Sequence, residues 1–169
     1  EKAKNIQGLL RAVRAVAQQR QDFELVIVGT GIDFQVDTSY AESLAFPEGM
    51  LHFTGEQTPY QVAQWMQQSD AFILFSRYET YAVVLAEAIA TGLPIISTST
   101  AGIASELPAE CGITIDEGNE QQLARAIHHM LDKRAEYHTE NIKKHSHQFH
   151  QQNVGKSLLR IYDSGLHSH

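Results

Sequence analysis

Only one cysteine, Cys111, stands among the 169 residues, so the chain forms no internal disulfide and has no cysteine pair to hold a metal. A lone thiol fits a reducing compartment, and a cytoplasmic location is expected. Positive charge is also scarce: 13 Lys and Arg face 20 Asp and Glu, for a formal net charge of −7, and no basic run is longer than Lys143-Lys144. That balance disfavours binding to nucleic acid or to an anionic membrane surface. No apolar stretch approaches the roughly 18 residues a spanning helix needs, and no charged-then-apolar leader opens the chain, so a soluble domain without a transmembrane segment is expected. What remains, 43% hydrophobic and 20% charged residues, fits one globular domain with a sizeable core.

Nine histidines invite a metal reading, above all His145, His147 and His150 beside His128 and His129. Their spacing argues against it. On a helix His145 and His147 point about 200° apart, and only His147 and His150 share a face. A solvated, polar C-terminal face and no metal are expected.

Along the chain, apolar residues at three-and-four spacing (Ile6, Leu9, Leu10, Val13, Val16, Ala17) predict a first helix with Asn5 as its N-cap. Phe23 to Val28, closed by Gly29-Thr30-Gly31, reads as a buried strand ending in a tight loop. Asp33 to Glu48 is ambiguous, with a short helix as one reading, and Met50 to Phe53 is a second strand. Thr58-Pro59 opens a helix through Met66, the threonine as cap and the proline in the first turn. Ala71 to Phe75 is a strand, followed by a helix to about Thr91, a stop at Gly92 and a strand from Pro94 to Ser97. Gly102 to Pro108 is loop or short helix, Ile113 to Ile115 a short edge strand, and Asn119 to Asp132 a helix. Two more helices are expected at Arg134 to Gln148 and Gln151 to Tyr162. Near-continuous apolar strands alternating with helices predict an α/β fold, a doubly wound parallel sheet covered by helices on both faces. Such a domain should begin with a strand, yet the first element is a helix, so either a strand is expected in the few residues before Glu1 or the sheet starts differently.

Two glutamates stand out. Glu87 is the only ionisable side chain between Ala82 and Ser97, and a carboxylate is costly to bury unless donors meet it, so a partner is expected. Glu79 lies eight positions before it, with seven residues between, about 12 Å along the axis if the whole span is helical. Two carboxylates that far apart cannot act on one bond, but they can hold hydroxyls at the two ends of an extended ligand. In an open parallel sheet, ligands sit beyond the carboxyl ends of the strands. Gly29-Thr30-Gly31, the segment Glu79 to Val83 and Ala101-Gly102 all fall there. Exposed amides of Tyr81, Ala82 and Val83 at a helix N-terminus suit a phosphate, and Lys4 can neutralise it. Plainer readings stand beside these. A lone glycine-x-glycine is a common tight turn and does not establish nicotinamide binding. Lys4 and Arg77 are compatible with solvated surface residues, and Glu79 with an ordinary first-turn acid.

The run Ser76 to Glu106 resembles the signature region of retaining group 1 glycosyltransferases, the family 4-like enzymes of the two-Rossmann-domain GT-B architecture. The likeness rests on Glu79 and Glu87, on Ala88 to Pro94, and on Gly102 with Glu106. Lys4-Asn5 with Leu9-Leu10, Leu25 to Gly31, and Phe53-Thr54-Gly55 extend it. One departure is that Thr80, Tyr81 and Ala82 stand where many relatives have glycines flanking an aromatic, and side chains there narrow a phosphate's approach to the backbone.

The resemblance implies that residues 1–169 are the donor-binding C-terminal half of such an enzyme, the acceptor-binding N-terminal domain and the first strand lying outside them, and the half alone inactive. It implies that Glu79 contacts hydroxyls of the donor sugar, that Glu87 accepts from the nucleotide ribose, and that Lys4 with the amides of Tyr81, Ala82 and Val83 holds the diphosphate. Gly29, Gly31, Thr54, Gly55 and Thr80 complete the implied donor site. No cofactor is implied besides the nucleoside diphosphate sugar, and the acceptor would be a saccharide or a lipid or polysaccharide precursor. Two other readings stay open: a nucleotide-sugar epimerase or phosphorylase on a related scaffold, and a non-catalytic Rossmann-like binding domain.

Overall fold

A computed structural model of the chain describes residues 3–31, 33–78, 83–100, 104 and 107–146. In chain order these are α1 (Ile6–Ala17), β1 (Leu25–Ile27), α2 (Phe34–Ser43), β2 (Leu51–Phe53), α3 (Pro59–Gln68), β3 (Phe72–Leu74), α4 (Val83–Thr91), β4 (Ile95–Thr98), β5 (Gly112–Ile115), α5 (Glu120–Lys133) and α6 (Thr139–Lys144). Every strand pairing is parallel, with β1 beside β2 and the other three in the order β3-β4-β5. The α/β alternation and parallel pairing agree with the expectation. The described strands form two sheets, with β1 and β3 not hydrogen-bonded to each other.

Side-chain alternation along β3 divides the core between two faces. Phe72 and Leu74 pack with Met66 of α3, with Leu85 and Ile89 of α4, and with Ile142 of α6. Ile73 and Phe75 point the other way, onto Leu9, Val13 and Val16 of α1 and Leu123 and Ile127 of α5. Helices therefore cover both faces, and β4, in the middle of its sheet, is buried at all four positions. The strands β1 and β3 are only half-buried along their length.

Local chemistry accounts for the helix ends. Thr58 and Gln61 form a reciprocal capping box at the start of α3, with Pro59 in its first turn, and Asn119 accepts from the Gln122 amide at the start of α5. At α1 the expected side-chain cap is absent. Asn5 is instead left-handed, at φ 51°, and makes no capping hydrogen bond. A left-handed backbone is tolerated by glycine and asparagine and costs other residues about 1–2 kcal/mol, which explains why asparagine sits there.

The region 34–43, ambiguous in the sequence, is helical. Its own amphipathicity is weak, and neighbours hold it: Gln7 donates to Asp37, Arg14 donates to the Leu44 carbonyl at 2.8 Å, and Phe34 meets Phe53 edge-to-face at 5.8 Å. The helix expected from Arg134 to Gln148 is broken after a single 3-10 turn, Arg134–Glu136, because Tyr137 turns extended and packs against both halves of the core. The chain then resumes as α6, whose Ile142 is fully buried and whose His145 contacts the Glu110 carboxylate. The helix expected at Gln151 to Tyr162 lies outside the described residues, as do His147 and His150.

Candidate functional site

The carboxyl ends of the strands converge where the sequence placed a ligand. At the ends of β1 and β2 the two glycine turns are locked together: the Gly29 amide donates to the Gly55 carbonyl at 3.0 Å, and the Thr54 amide donates to the Ile27 carbonyl at 3.0 Å. The Thr54 hydroxyl also donates to the Gly55 carbonyl, at 3.1 Å. Gly29 has φ 107° and Gly55 φ 71°, and a β-carbon at either would meet nothing within 4 Å. These two glycines supply a backbone shape that side chains resist, and they leave open space above it. Gly31, exposed, follows in the turn that leads to Phe34. Gly29, Thr54 and Gly55 are thus brought together as one ledge, with Gly31 two residues further along the chain.

The second cluster forms where β3 ends. The Arg77 amide donates to the Ala3 carbonyl at 2.7 Å, holding the residues just before Lys4 against the loop that leaves β3. Two threonines that the sequence reading passed over brace this loop. Thr98 donates from its hydroxyl to the Ser76 carbonyl at 2.7 Å, and Thr100 to the Arg77 carbonyl at 3.4 Å. The hydroxyl-rich run Ser97-Thr98-Ser99-Thr100 directly after an apolar strand was the available signal, since hydroxyls at a strand end bond nearby backbone. Ser76 itself is buried, and its hydroxyl has no partner among the described residues. Lys4, Gly29 and Gly31 are among the residues lining one cavity of about 1040 Å³.

Glu87 is not where the sequence put it. It is exposed, on the side of α4 away from the core. Leu85, Ala86, Ala88 and Ile89 take the buried positions, while Val83, Glu87 and Ala90 form the outer stripe at i, i+4 and i+7. The expectation of a buried carboxylate in need of a partner is therefore corrected: an apolar segment hid the carboxylate in composition, and helical phase carries it outward. Val83, at 52% exposure, opens the helix about 6 Å along the axis from Glu87 on this outer stripe. Glu79, Thr80, Tyr81 and Ala82 lie outside the described residues, as do Ala101-Gly102 and Glu106. In the sequence, residues 79–82 fall between Tyr78 and Val83, the first residue of α4.

A parallel α/β domain with helices on both faces has the Rossmann-like fold of the GT-B kind. The family model described as "Glycosyl transferases group 1" matches residues 1–133, and the chain belongs to that family. Among curated relatives, it is 32% identical over 127 residues to a GDP-mannose-dependent alpha-mannosyltransferase of Mycolicibacterium smegmatis, covering 73% of this chain and 32% of that protein. It is 27% identical over 166 residues to an uncharacterized glycosyltransferase of Methanocaldococcus jannaschii, covering 94% of this chain and 41% of the relative. The chain thus spans about a third to two fifths of these relatives.

Among solved structures, a lipopolysaccharide outer core galactosyltransferase in its apo form superposes with a TM-score of 0.76 at 22% identity, over 87% of this chain and 41% of that one. A pneumococcal O-GlcNAc transferase, solved with UDP and GlcNAc, superposes at 0.78 with 18% identity, over 99% of this chain and 34% of that one. These likenesses establish the shared fold.

Proposed function

We propose that the 169 residues form the donor-binding half of a retaining hexosyltransferase, one that moves a sugar from a nucleoside diphosphate sugar to a saccharide or a lipid or polysaccharide precursor. The observation that carries this reading is the Arg77–Ala3 tether. It ties the residue before Lys4 to the loop after β3, which supports reading the lysine and the start of α4 as two sides of a diphosphate site. In this reading the Lys4 ammonium and the amides of Tyr81, Ala82 and Val83 stabilise charge developing on the departing diphosphate. That is preorganised electrostatic catalysis, and it needs no metal. Glu79 holds hydroxyls of the transferred sugar. Glu87, exposed on the outer face of α4, accepts from the ribose hydroxyls. The ledge of Gly29, Thr54 and Gly55, with Gly31 and Thr80, faces the remainder of the nucleotide. The acceptor binds through a separate N-terminal domain of a longer, cytoplasmic protein.

The two carboxylates then have separable effects in the full-length enzyme. Glu79→Ala lowers kcat with little change in nucleotide affinity, whereas Glu87→Ala mainly raises the KM for the donor. NMR of the product shows the anomeric configuration of the donor retained. Equal, negligible effects of both substitutions, or an inverted product, would overturn the scheme.

A further inference from the structure

One face of α3 carries an unusual set of side chains. Gln61, Gln64, Trp65 and Gln68 fall at i, i+3, i+4 and i+7, a single stripe of the helix, and with Gln57 just before it they line a recess of about 280 Å³. No charged residue lines it. Two of its amides are set by local bonds: Gln57 donates to the Thr54 carbonyl at 2.9 Å, and the Gln61 oxygen accepts from the Thr58 amide at 2.9 Å. Both keep hydrogen-bonding capacity, since a glutamine has two N–H donors as well as its acceptor oxygen. Gln64 and Gln68 are exposed and have no side-chain hydrogen bond among the described residues. Trp65, the only tryptophan of the chain, is half-buried beside them. Tyr60, at 73% the most exposed large hydrophobic side chain among the described residues, stands one turn before Gln64.

We propose that this face of α3 is a carbohydrate site separate from the glycine ledge, and that it holds a short stretch of a neutral saccharide chain. Amides that both donate and accept match sugar hydroxyls, which do the same, and an aromatic ring offers an apolar surface to the C–H face of a pyranose. An anionic ligand finds no counter-charge in the lining, and an apolar one would strip water from four amides and return no hydrogen bonds. Gln61 to Gln68 spans about 10 Å along the helix axis, room for several hydroxyls of an extended chain. Connectivity gives the site its place. Gln57 is bonded to the ledge at Thr54, and the stripe leads from there along α3 toward the amino end of β3. A glycan lying on α3 is thereby kept close to the ledge without entering it. That this glycan is the acceptor or the product of transfer rests on the proposed reaction; the site itself rests on its lining.

Affinity electrophoresis of the full-length enzyme, in native gels cast with mannan, galactan or dextran and no nucleotide, tests this apart from the donor reading. At least one polymer should retard the enzyme relative to a polymer-free gel. Gln64→Ala combined with Gln68→Ala should weaken that affinity by about fivefold or more, the loss expected for two hydrogen bonds. Tyr60→Ala should weaken it as well. Both variants should melt as the parent does, because alanine is favoured at exposed helical positions. Glu79→Ala should bind the polymer unchanged, so a failed donor site leaves this result standing. No retardation by any of the three polymers overturns the inference, as does equal retardation of the parent and the α3 variants. Loss in Glu79→Ala alone assigns the glycan to the catalytic cleft and overturns it too. So does a dimer mass abolished by the α3 substitutions, which assigns the face to a second copy.

Discussion

The Arg77 amide donates to the Ala3 carbonyl at 2.7 Å, and that bond ties the loop after β3 to the entry of α1. Thr98 and Thr100 hold the preceding carbonyls of the same loop. The backbone before Lys4 and the loop at Ser76 and Arg77 are therefore held by bonds that do not use the Lys4 side chain. This is why effects on turnover and on stability should separate at Lys4.

Asn5 gives the first test of the local account. Its left-handed backbone predicts that Asn5→Gly is tolerated, whereas Asn5→Ala loses about 1 kcal/mol in urea unfolding. The Asn5 side chain also lies over Gly8, where an added β-carbon would sit 2.7 Å from it. Gly8→Ala should therefore destabilise the native protein, and less so in the Asn5→Gly background. An additive double substitution would show that the two residues do not touch.

Two glycines separate strain from collision. Gly118 has φ 68° and open space around it, so Gly118→Ala pays only for the backbone, about 1 kcal/mol. Gly112 has φ 149°, and a β-carbon there would fall 1.9 Å from the Ile95 carbonyl oxygen, inside the β4–β5 pairing. Gly112→Ala should cost on the order of 4 kcal/mol or more, the range reserved for a broken core. Thermal melts of the two variants compare them directly.

Cys111 is fully buried, and burial pushes its thiol up to about 11. A pKa raised in the folded state means that folding holds the neutral thiol. Its contribution is complete below the ordinary thiol value near 9 and is lost as pH rises from there through about 11. Native protein at neutral pH should therefore resist thiol reagents, and labelling should follow global unfolding in urea. Rapid labelling without unfolding would contradict the burial.

The strands were legible because parallel strands covered by helices are largely apolar: Leu25–Ile27, Phe72–Leu74 and Ile95–Thr98 all fall within or beside the expected runs. Thr58-Pro59 and Asn119 were legible because capping chemistry is local. The helix α2 was obscure because Arg14, Gln7 and Phe53 hold it from a distance, and no window of its own sequence contains them. The break at Tyr137 was missed for a similar reason, since it answers to packing on two core faces. Glu87 shows a different limit. Composition placed it among apolar residues, but only the phase of the helix shows that it faces outward. At the ligand end, the glycines of the ledge could be named from the sequence, while the Gly29–Gly55 pairing that joins two turns 26 residues apart could not.

The most direct test of the central claim is a thermal-shift series on the full-length enzyme with UDP, GDP and ADP. Ligand at 100 times its dissociation constant stabilises by about 2.7 kcal/mol, enough for a clear rise in Tm. The account predicts a rise with one of the diphosphates at millimolar concentration, largely lost in Glu87→Ala while that variant melts normally without ligand. No rise with any diphosphate from a cooperatively melting protein, or a rise untouched by Glu87→Ala, would contradict it.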